Sequence, residues 1–144
     1  MKRIIGTLIF FLLFCLSPAL AQQSFEKDII KTSAGDLEIT FIVHGTLMMA
    51  FGGKVIHIDP YSKAADYAKL PQADLIFLTH DHRDHLDLAA LQHIRSNRTT
   101  VVLTESCAEK VAEGIVMKNG DSSTVEGIPV KAVPAYNVVH KRKN

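Results

Sequence analysis

Short apolar runs recur from residue 37 onwards, and their spacing separates strands from helices. Alternating apolar positions over 37–43 predict a strand. Two further apolar runs, 47–51 and 55–58, are separated by Gly52-Gly53 and predict a β-hairpin. Asp59-Pro60 ends the third strand, because proline cannot donate to the ladder. The polar stretch 22–36 is expected to be a lead-in segment.

The next part of the chain alternates between strand and helix patterns. Residues 74–79 and 101–103 are continuous apolar runs, which are typical of strands buried on both faces. Helical spacing of apolar residues predicts a helix over 86–95, a shorter helix over 105–113, and a helix or ordered loop over 62–70. Short strands are predicted at 115–117, 123–125 and 130–133. Antiparallel strands followed by alternating strands and helices indicate a layered α/β (α+β) domain with a mixed sheet.

The first 21 residues have the composition of a signal peptide. Lys2 and Arg3 precede an apolar run over 4–16, and small residues precede a cleavage point after Ala21. An uncleaved membrane anchor is the alternative, but the run is shorter than the roughly 20 residues that span a bilayer. We therefore expect an exported protein, periplasmic or extracellular, with no stable membrane anchor after cleavage.

Composition gives no support for nucleic acid as a partner and excludes stabilisation by an internal disulfide. The 16 Lys and Arg residues nearly balance the 15 Asp and Glu residues, so no net charge favours binding to nucleic acid. Cys107 is the only cysteine outside the leader, which excludes an internal disulfide in the mature chain. We expect Cys107 to be a small buried apolar residue and not a nucleophile.

The segment from His80 to His85 (HDHRDH) carries the chemistry of the chain. His80 and His82 are two residues apart, so in an extended segment they point the same way and can bind one metal ion. Asp84 and His85, at the start of the next helix, can reach a second ion. Imidazole and carboxylate ligands suit Zn²⁺ and also Mn²⁺ or Fe²⁺, and two such ions can activate a shared water. A solvated polar loop and a metal-binding loop without catalysis are the alternatives.

This segment follows an apolar strand, and in that position it resembles the signature of the metallo-β-lactamase fold superfamily. The strand that ends at Asp59-Pro60 resembles the first motif of the superfamily, and His44-Gly45-Thr46 resembles its early His-Gly-Ser/Thr turn. Pro134-Ala135-Tyr136-Asn137 resembles a segment of a subgroup of predicted metal-dependent hydrolases, similar to the ascorbate-6-phosphate lactonase-like branch. The resemblance extends from residue 37 to residue 144.

The resemblance implies an αββα sandwich and a hydrolase that uses two divalent metal ions. It implies that His80 and His82 hold the first ion and that Asp84 and His85 hold the second. Asp84 would also take part in proton transfer or in orienting the metal-bound water, as the catalytic residue. Asp59 would orient the ligands from outside the metal shell, and a plain Asp-Pro turn is the alternative for this residue. The implied substrate is a small molecule with an ester, lactone, amide or phosphodiester bond.

The remaining histidines are assigned weaker roles. His44 is a candidate for the rim of the site. His140 lies where a third ligand of the first ion would be sought, after the Pro-Ala-Tyr-Asn segment. His57 falls within a predicted strand and His93 within a predicted helix, so both are expected to be packing or surface residues.

Chain length sets the last expectation. The αββα sandwich needs roughly 200 residues as one domain, and residues 37–144 supply only its N-terminal half, without the bridging aspartate and the final histidine. We therefore expect a truncated N-terminal part of a hydrolase domain, with one sheet face left uncovered. The alternatives are an inactive metal-binding module and, with less support, a pair of chains that rebuild the sandwich.

A first prediction concerns the coding DNA beyond Asn144. We expect one of the three downstream frames to encode a Gly-Asp-Thr-like turn and a later histidine at the end of a strand, because these would complete the site. Sequencing of the genomic region tests this. A genuine stop codon with no such frame nearby would favour the metal-binding module.

Overall fold

A computed structural model describes residues 23–135 of the chain. The expected signal segment 1–21 lies outside these residues, as do Tyr136, Asn137 and His140. The signal peptide and the role of His140 therefore stay predictions. Within the described residues, no helix combines the length and the apolar character needed to cross a bilayer.

The fold is built on a seven-stranded mixed sheet whose strands follow one another in chain order. The strands are β1 (Glu26–Thr32), β2 (Gly35–Val43), β3 (Thr46–Phe51), β4 (Lys54–Ile58), β5 (Leu75–Leu78), β6 (Thr100–Leu103) and β7 (Ile115–Val116). The first four pair antiparallel, whereas β4 to β7 pair parallel. A separate hairpin joins β8 (Ser122–Val125) to β9 (Ile128–Lys131). The mixed sheet predicted from the sequence is confirmed.

The polar stretch expected to be a lead-in contains the edge strand β1, which the sequence analysis does not predict. Strand β1 pairs with β2 along its whole length, and all seven of its residues are exposed. Two ion pairs across the strands, Lys27 with Glu38 and Lys31 with Asp36, support the pairing at 2.5 Å each. A strand exposed on both faces needs no alternation of apolar residues, so its sequence gives no period-2 signal.

The helices are shorter than the sequence predicts. Helix α1 (Leu88–Ile94) begins after Asp87, whose carboxylate accepts from the amides of Ala89 and Ala90. Helix α2 (Glu105–Ala108) covers only the first four residues of the helix predicted over 105–113. Past it, the Arg95 guanidinium donates to two main-chain carbonyl oxygens of the following loop, at 3.1 and 3.0 Å. The segment 62–70 contains one 3₁₀ turn, Tyr67–Lys69.

Apolar side chains form one cluster on each face of the sheet. The cluster beneath the helices contains the buried Cys107, as expected. On the opposite face, Val125 and Ile128 of the β8–β9 hairpin pack against the sheet, so the face expected to be uncovered is covered in part. Phe41 on β2 remains 41% exposed.

The parallel strands bring the ends of three segments to one edge of the sheet. Strands β4, β5 and β6 run in the same direction, so their carboxyl ends meet there. Asp59 follows β4 directly, and Thr79 and His80 follow β5. In α/β proteins this is the edge at which sites are commonly found.

His57 lies on β4 and is completely buried, which confirms a packing role. Its Nε2–H donates to the Pro71 carbonyl at 3.1 Å, and its ring lies 6.0 Å from that of Tyr67. Its Nδ1 has no hydrogen-bond partner among the described residues. Burial lowers the pKa of His57, and the hydrogen bond to Pro71 opposes this effect only in part.

A second prediction is that His57 makes the chain less stable in mild acid. The unfolded chain, with an ordinary histidine pKa near 6.5, binds the proton more readily than the folded chain does. Stability is therefore greatest above pH 6.5 and falls as the pH drops toward the lower folded pKa, by at most about 1.4 kcal/mol per pH unit. We expect His57→Leu to flatten the dependence of the urea midpoint on pH between 7.5 and 5.

The matched control is His93→Leu, because His93 is exposed on α1. This variant should keep the pH dependence of the original chain. An equal slope in the His57→Leu variant and the original chain would contradict the prediction.

Candidate metal centre

The candidate site is organised around Asp59, the residue that follows β4. Its backbone adopts a left-handed conformation (φ 45°), which aspartate tolerates better than most residues. Its amide donates to the Phe77 carbonyl of β5 at 3.0 Å, and its carbonyl accepts from the Thr46 hydroxyl of β3 at 2.8 Å. Asp59 is only 2% exposed. The main chain of this residue is therefore fixed between two neighbouring strands.

The Asp59 carboxylate accepts three hydrogen bonds from the protein. Its Oδ1 accepts from the Thr79 amide at 2.8 Å. Its Oδ2 accepts from the Thr79 hydroxyl at 2.5 Å and from Nδ1 of His85 at 2.8 Å. A buried carboxylate without such partners would be strongly destabilising. The site thus has its polar groups paired before any ligand binds.

The histidine loop folds back on itself in a tight turn. The amides of His85 and Leu86 both donate to the His82 carbonyl, at 2.9 and 2.8 Å. The His80 ring consequently lies 3.9 Å from the His85 ring and 4.6 Å from the His82 ring, measured between centroids. The three imidazole rings therefore lie against one another at the edge of the sheet.

Asp59, His80 and His85 each offer one ligand atom, and these three atoms lie within 4.8 Å of one another. Imidazole nitrogen and carboxylate oxygen fit Zn²⁺, Mn²⁺ or Fe²⁺. Because His85 donates through Nδ1, its Nε2 carries the free lone pair. Three of the roughly four lone-pair directions of Asp59 are already used. This carboxylate is therefore better suited to orienting the histidines than to binding the ion directly.

The other predicted site residues lie close to this group. Asp84 is exposed, and its Oδ2 lies 3.8 Å from Nε2 of His85, on the side of the ring that faces away from Asp59. The His82 ring stands edge-on to His80, at 75°. His44 is exposed in the β2–β3 turn with a φ of 47°. A Cβ atom on its neighbour Gly45 would lie 3.4 Å from the His85 ring, so this turn borders the site.

Electrostatics favour neutral imidazole at the centre of the cluster. Burial, followed by the charges of His85 and His82, lowers the pKa of His80. Neutral imidazole is the form that binds metal.

Asp81, in the middle of the histidine loop, has a separate role. Its Oδ2 accepts from Nζ of Lys110 at 2.8 Å, and its main-chain oxygen accepts from the same amine at 3.3 Å. The hydrogen bond and charge of Lys110 lower the pKa of Asp81. This ion pair ties the outer side of the loop to the segment after α2.

Thr46 and Thr79 are parts of the site to which the sequence analysis assigned no role. Thr79 precedes His80 directly, and Thr46 ends the His44-Gly45-Thr46 motif. Both hydroxyls bond to Asp59, Thr46 to its carbonyl and Thr79 to its carboxylate. A hydroxyl residue beside a ligand motif was the available signal, but threonine is common in strands and gives no periodicity of its own.

Comparison with known proteins agrees with this geometry. Residues 38–144 match the family model of the β-lactamase superfamily domain, and the histidine loop lies inside the match. The chain belongs to the β-lactamase superfamily. The resemblance seen in the HDHRDH segment is thereby confirmed, as is the fold class.

Individual relatives refine the comparison. The chain is 32% identical over 108 residues to a UPF0173 metal-dependent hydrolase of Pelotomaculum thermopropionicum, covering 70% of this chain and 47% of that protein. A crystal structure of a protein from Parabacteroides distasonis, named a metal-dependent hydrolase, matches with a TM-score of 0.77 and 43% identity over 80% of this chain and 53% of the other. A cytidine monophosphate-N-acetylneuraminic acid hydroxylase of Danio rerio is 26% identical over 83 residues, 47% of this chain and 14% of that protein. The chain thus spans about half the length of the metal-dependent hydrolases that it matches.

A third prediction concerns the isosteric change Asp59→Asn. An amide group facing the His85 ring can donate to Nδ1, which would move the ring proton to Nε2 and block the metal-binding nitrogen. Changes to groups that orient ligands commonly lower metal affinity by roughly 10- to 100-fold. We expect a loss of that size for Co²⁺ or Zn²⁺, measured by competition with a chelator.

The control for this prediction is Asp36→Asn, an exposed carboxylate on β2 that pairs with Lys31 and lies outside the histidine loop. It should retain the original affinity. Equal affinities for the Asp59→Asn and Asp36→Asn variants would contradict the role given to Asp59.

Proposed function

We propose that the protein is a metal-dependent hydrolase that acts on a small molecule through an ester, lactone, amide or phosphodiester bond. The observation that supports this most directly is the clustering of three imidazoles beside the buried Asp59 carboxylate, at the carboxyl edge of the parallel strands. Membership of the superfamily and similarity to named metal-dependent hydrolases support the same reaction class.

We assign the ligands in two pairs, His80 with His82 and Asp84 with His85, as the spacing and the resemblance suggest. Zn²⁺ fits nitrogen and oxygen ligands best, and Mn²⁺ or Fe²⁺ remain alternatives. When bound, such ions supply Lewis-acid activation of water and of the bond to be cleaved. The position of His80 and His85 close together beside Asp59, which orients them, supports at least one metal position.

Asp84 is the proposed proton carrier. Its carboxylate is exposed, and it lies 3.8 Å from the nitrogen of His85 that is free to bind metal. From there Oδ2 can accept a proton from the attacking water and return it to the leaving group. The buried Asp59, by contrast, already accepts three hydrogen bonds from Thr79 and His85 and is not assigned this role.

A metal-binding module without catalysis is the second candidate. The observation that favours it is that the chain spans about half the length of the metal-dependent hydrolases that it matches. Within residues 23–135, one group of three ligand residues is assembled. Metal stoichiometry separates the two candidates, because the hydrolase proposal requires two ions for each chain.

We also propose that the protein acts outside the cytoplasm, in the periplasm or extracellularly. The N-terminal pattern of a basic start, an apolar run and small residues before Ala21 supports this. Fractionation of cells that express the native gene, with mass determination of the mature N-terminus, is the appropriate test.

A fourth prediction tests the catalytic proposal directly. The full-length protein expressed from its native gene and loaded with Zn²⁺ or Mn²⁺ should hydrolyse at least one member of a panel of chromogenic esters, lactones and phosphodiesters, and EDTA should abolish the activity. Asp84→Ala should lower kcat by roughly 100-fold or more, since it removes a general acid–base group. His82→Ala should lower both activity and bound metal, measured by elemental analysis.

The Asp36→Ala variant is the control, since Asp36 lies on β2, outside the histidine loop, and pairs with Lys31. It should keep the activity and the metal content. One tightly bound ion without hydrolysis of any substrate would favour the metal-binding module. Near-normal rates in the Asp84→Ala or His82→Ala variant would show that the site has been assigned wrongly.

A further inference from the structure

We infer that Thr79 is a positioning residue whose hydroxyl connects Asp59 to His80 and so fixes which nitrogen of His80 is free to bind metal. The inference deepens the proposed metal site and rests on it for its functional meaning. The tautomer that it assigns, however, can be observed in the metal-free chain.

The direction of the two hydrogen bonds made by the Thr79 hydroxyl follows from elementary chemistry. Its Oγ1 lies 2.5 Å from Oδ2 of Asp59 and 2.9 Å from Nδ1 of His80. A hydroxyl has one proton to donate, and a carboxylate oxygen can only accept. The threonine proton is therefore directed to Asp59, and Oγ1 is left as an acceptor. Nδ1 of His80 must carry a hydrogen and donate it to Thr79.

The consequence for His80 is a defined tautomer. With hydrogen on Nδ1, the neutral ring has its lone pair on Nε2, which is the nitrogen available to an ion. His85 adopts the same tautomer, because its own Nδ1–H donates to Oδ2 of Asp59. The buried Asp59 carboxylate thus fixes the tautomer of two imidazoles, that of His85 directly and that of His80 through the Thr79 hydroxyl. The centroids of the two rings are 3.9 Å apart.

The position of Thr79 is itself fixed by Asp59. The amide of Thr79 donates to Oδ1 of Asp59, and the hydroxyl of Thr79 donates to Oδ2. Both the backbone and the side chain of Thr79 are therefore hydrogen-bonded to the same carboxylate. A valine at this position would have nearly the same shape as threonine but no hydroxyl. A serine would keep the hydroxyl and lose only a methyl group. The two substitutions therefore separate hydrogen bonding from packing.

The deciding experiment is long-range ¹H–¹⁵N NMR of the metal-free chain with ¹⁵N-labelled histidine, which reports the nitrogen of each ring that carries hydrogen. We expect the original chain and the Thr79→Ser variant to show His80 protonated on Nδ1. In Thr79→Val we expect the population to shift toward Nε2–H, the tautomer that neutral imidazole favours in water. The spectrum of His85 should change little, since its bond to Asp59 does not pass through Thr79.

The matched control is Thr104→Val. Thr104 follows β6 directly, as Thr79 follows β5, but its hydroxyl bonds to Ser106 and Cys107 and not to a histidine. It should leave the His80 spectrum unchanged.

A titration with Co²⁺ measures the effect on metal affinity. Thr79→Val should bind Co²⁺ roughly 10- to 100-fold more weakly than the original chain, the size typical of lost ligand orientation. Thr79→Ser and Thr104→Val should bind as the original chain does.

The inference would be overturned if His80 in the original chain carried its hydrogen on Nε2, or if Thr79→Val left the tautomer unchanged. The first result decides the matter even if the valine variant fails to fold. Failure of the proposed function has a different signature: the tautomers would be as expected, but the original chain would bind no Co²⁺ or Zn²⁺.

Discussion

The site depends on burying one carboxylate, that of Asp59, with its oxygens paired to donors from the protein. Asp59 joins three strands: its carbonyl is held by Thr46 on β3, its amide by Phe77 on β5, and its side chain by Thr79 at the end of β5. The remaining donor is His85. Since a buried charge is tolerated only when its partners are in place, strand packing and ligand orientation are coupled. The same interactions that complete the sheet edge also position the histidines.

The parallel half of the sheet explains why the chemistry is confined to one edge. Asp59 and Thr79 lie at adjacent positions because β4 and β5 pair in parallel and end at the same edge. The loop after β5 turns back toward these two residues. Two contacts fix this loop, the turn closed at the His82 carbonyl and the ion pair of Asp81 with Lys110. The acidic residues of the loop consequently differ in role: Asp81 anchors its outer side, and Asp84 remains open to solvent.

The accuracy of the sequence predictions follows the strength of the physical signal in each segment. Strands β2 to β6 were predicted because burial on one or both faces imposes a period or a continuous apolar run. Strand β1 was missed because all its residues are exposed, so no apolar pattern marks it. Helix α2 was predicted too long, since the apolar spacing over 105–113 persists through turns that lie outside the helix. The spacing of apolar residues along the chain cannot distinguish a helix from a packed loop, because apolar side chains of either one can be buried by tertiary contacts.

The sequence by itself determined the candidate ligand types and their order, because histidine and aspartate at two-residue spacing after a buried strand have few structural uses. It also determined the superfamily, through the segment from His80 to His85. Only the tertiary structure decided which atoms contact one another. Asp59 lies 26 residues from His85 along the chain but within hydrogen-bonding distance of it, and the Thr79 hydroxyl has a defined direction only because Asp59 is buried beside it. Tautomers and hydrogen-bond directions depend on partners that are distant in sequence, so no local pattern of residues can specify them.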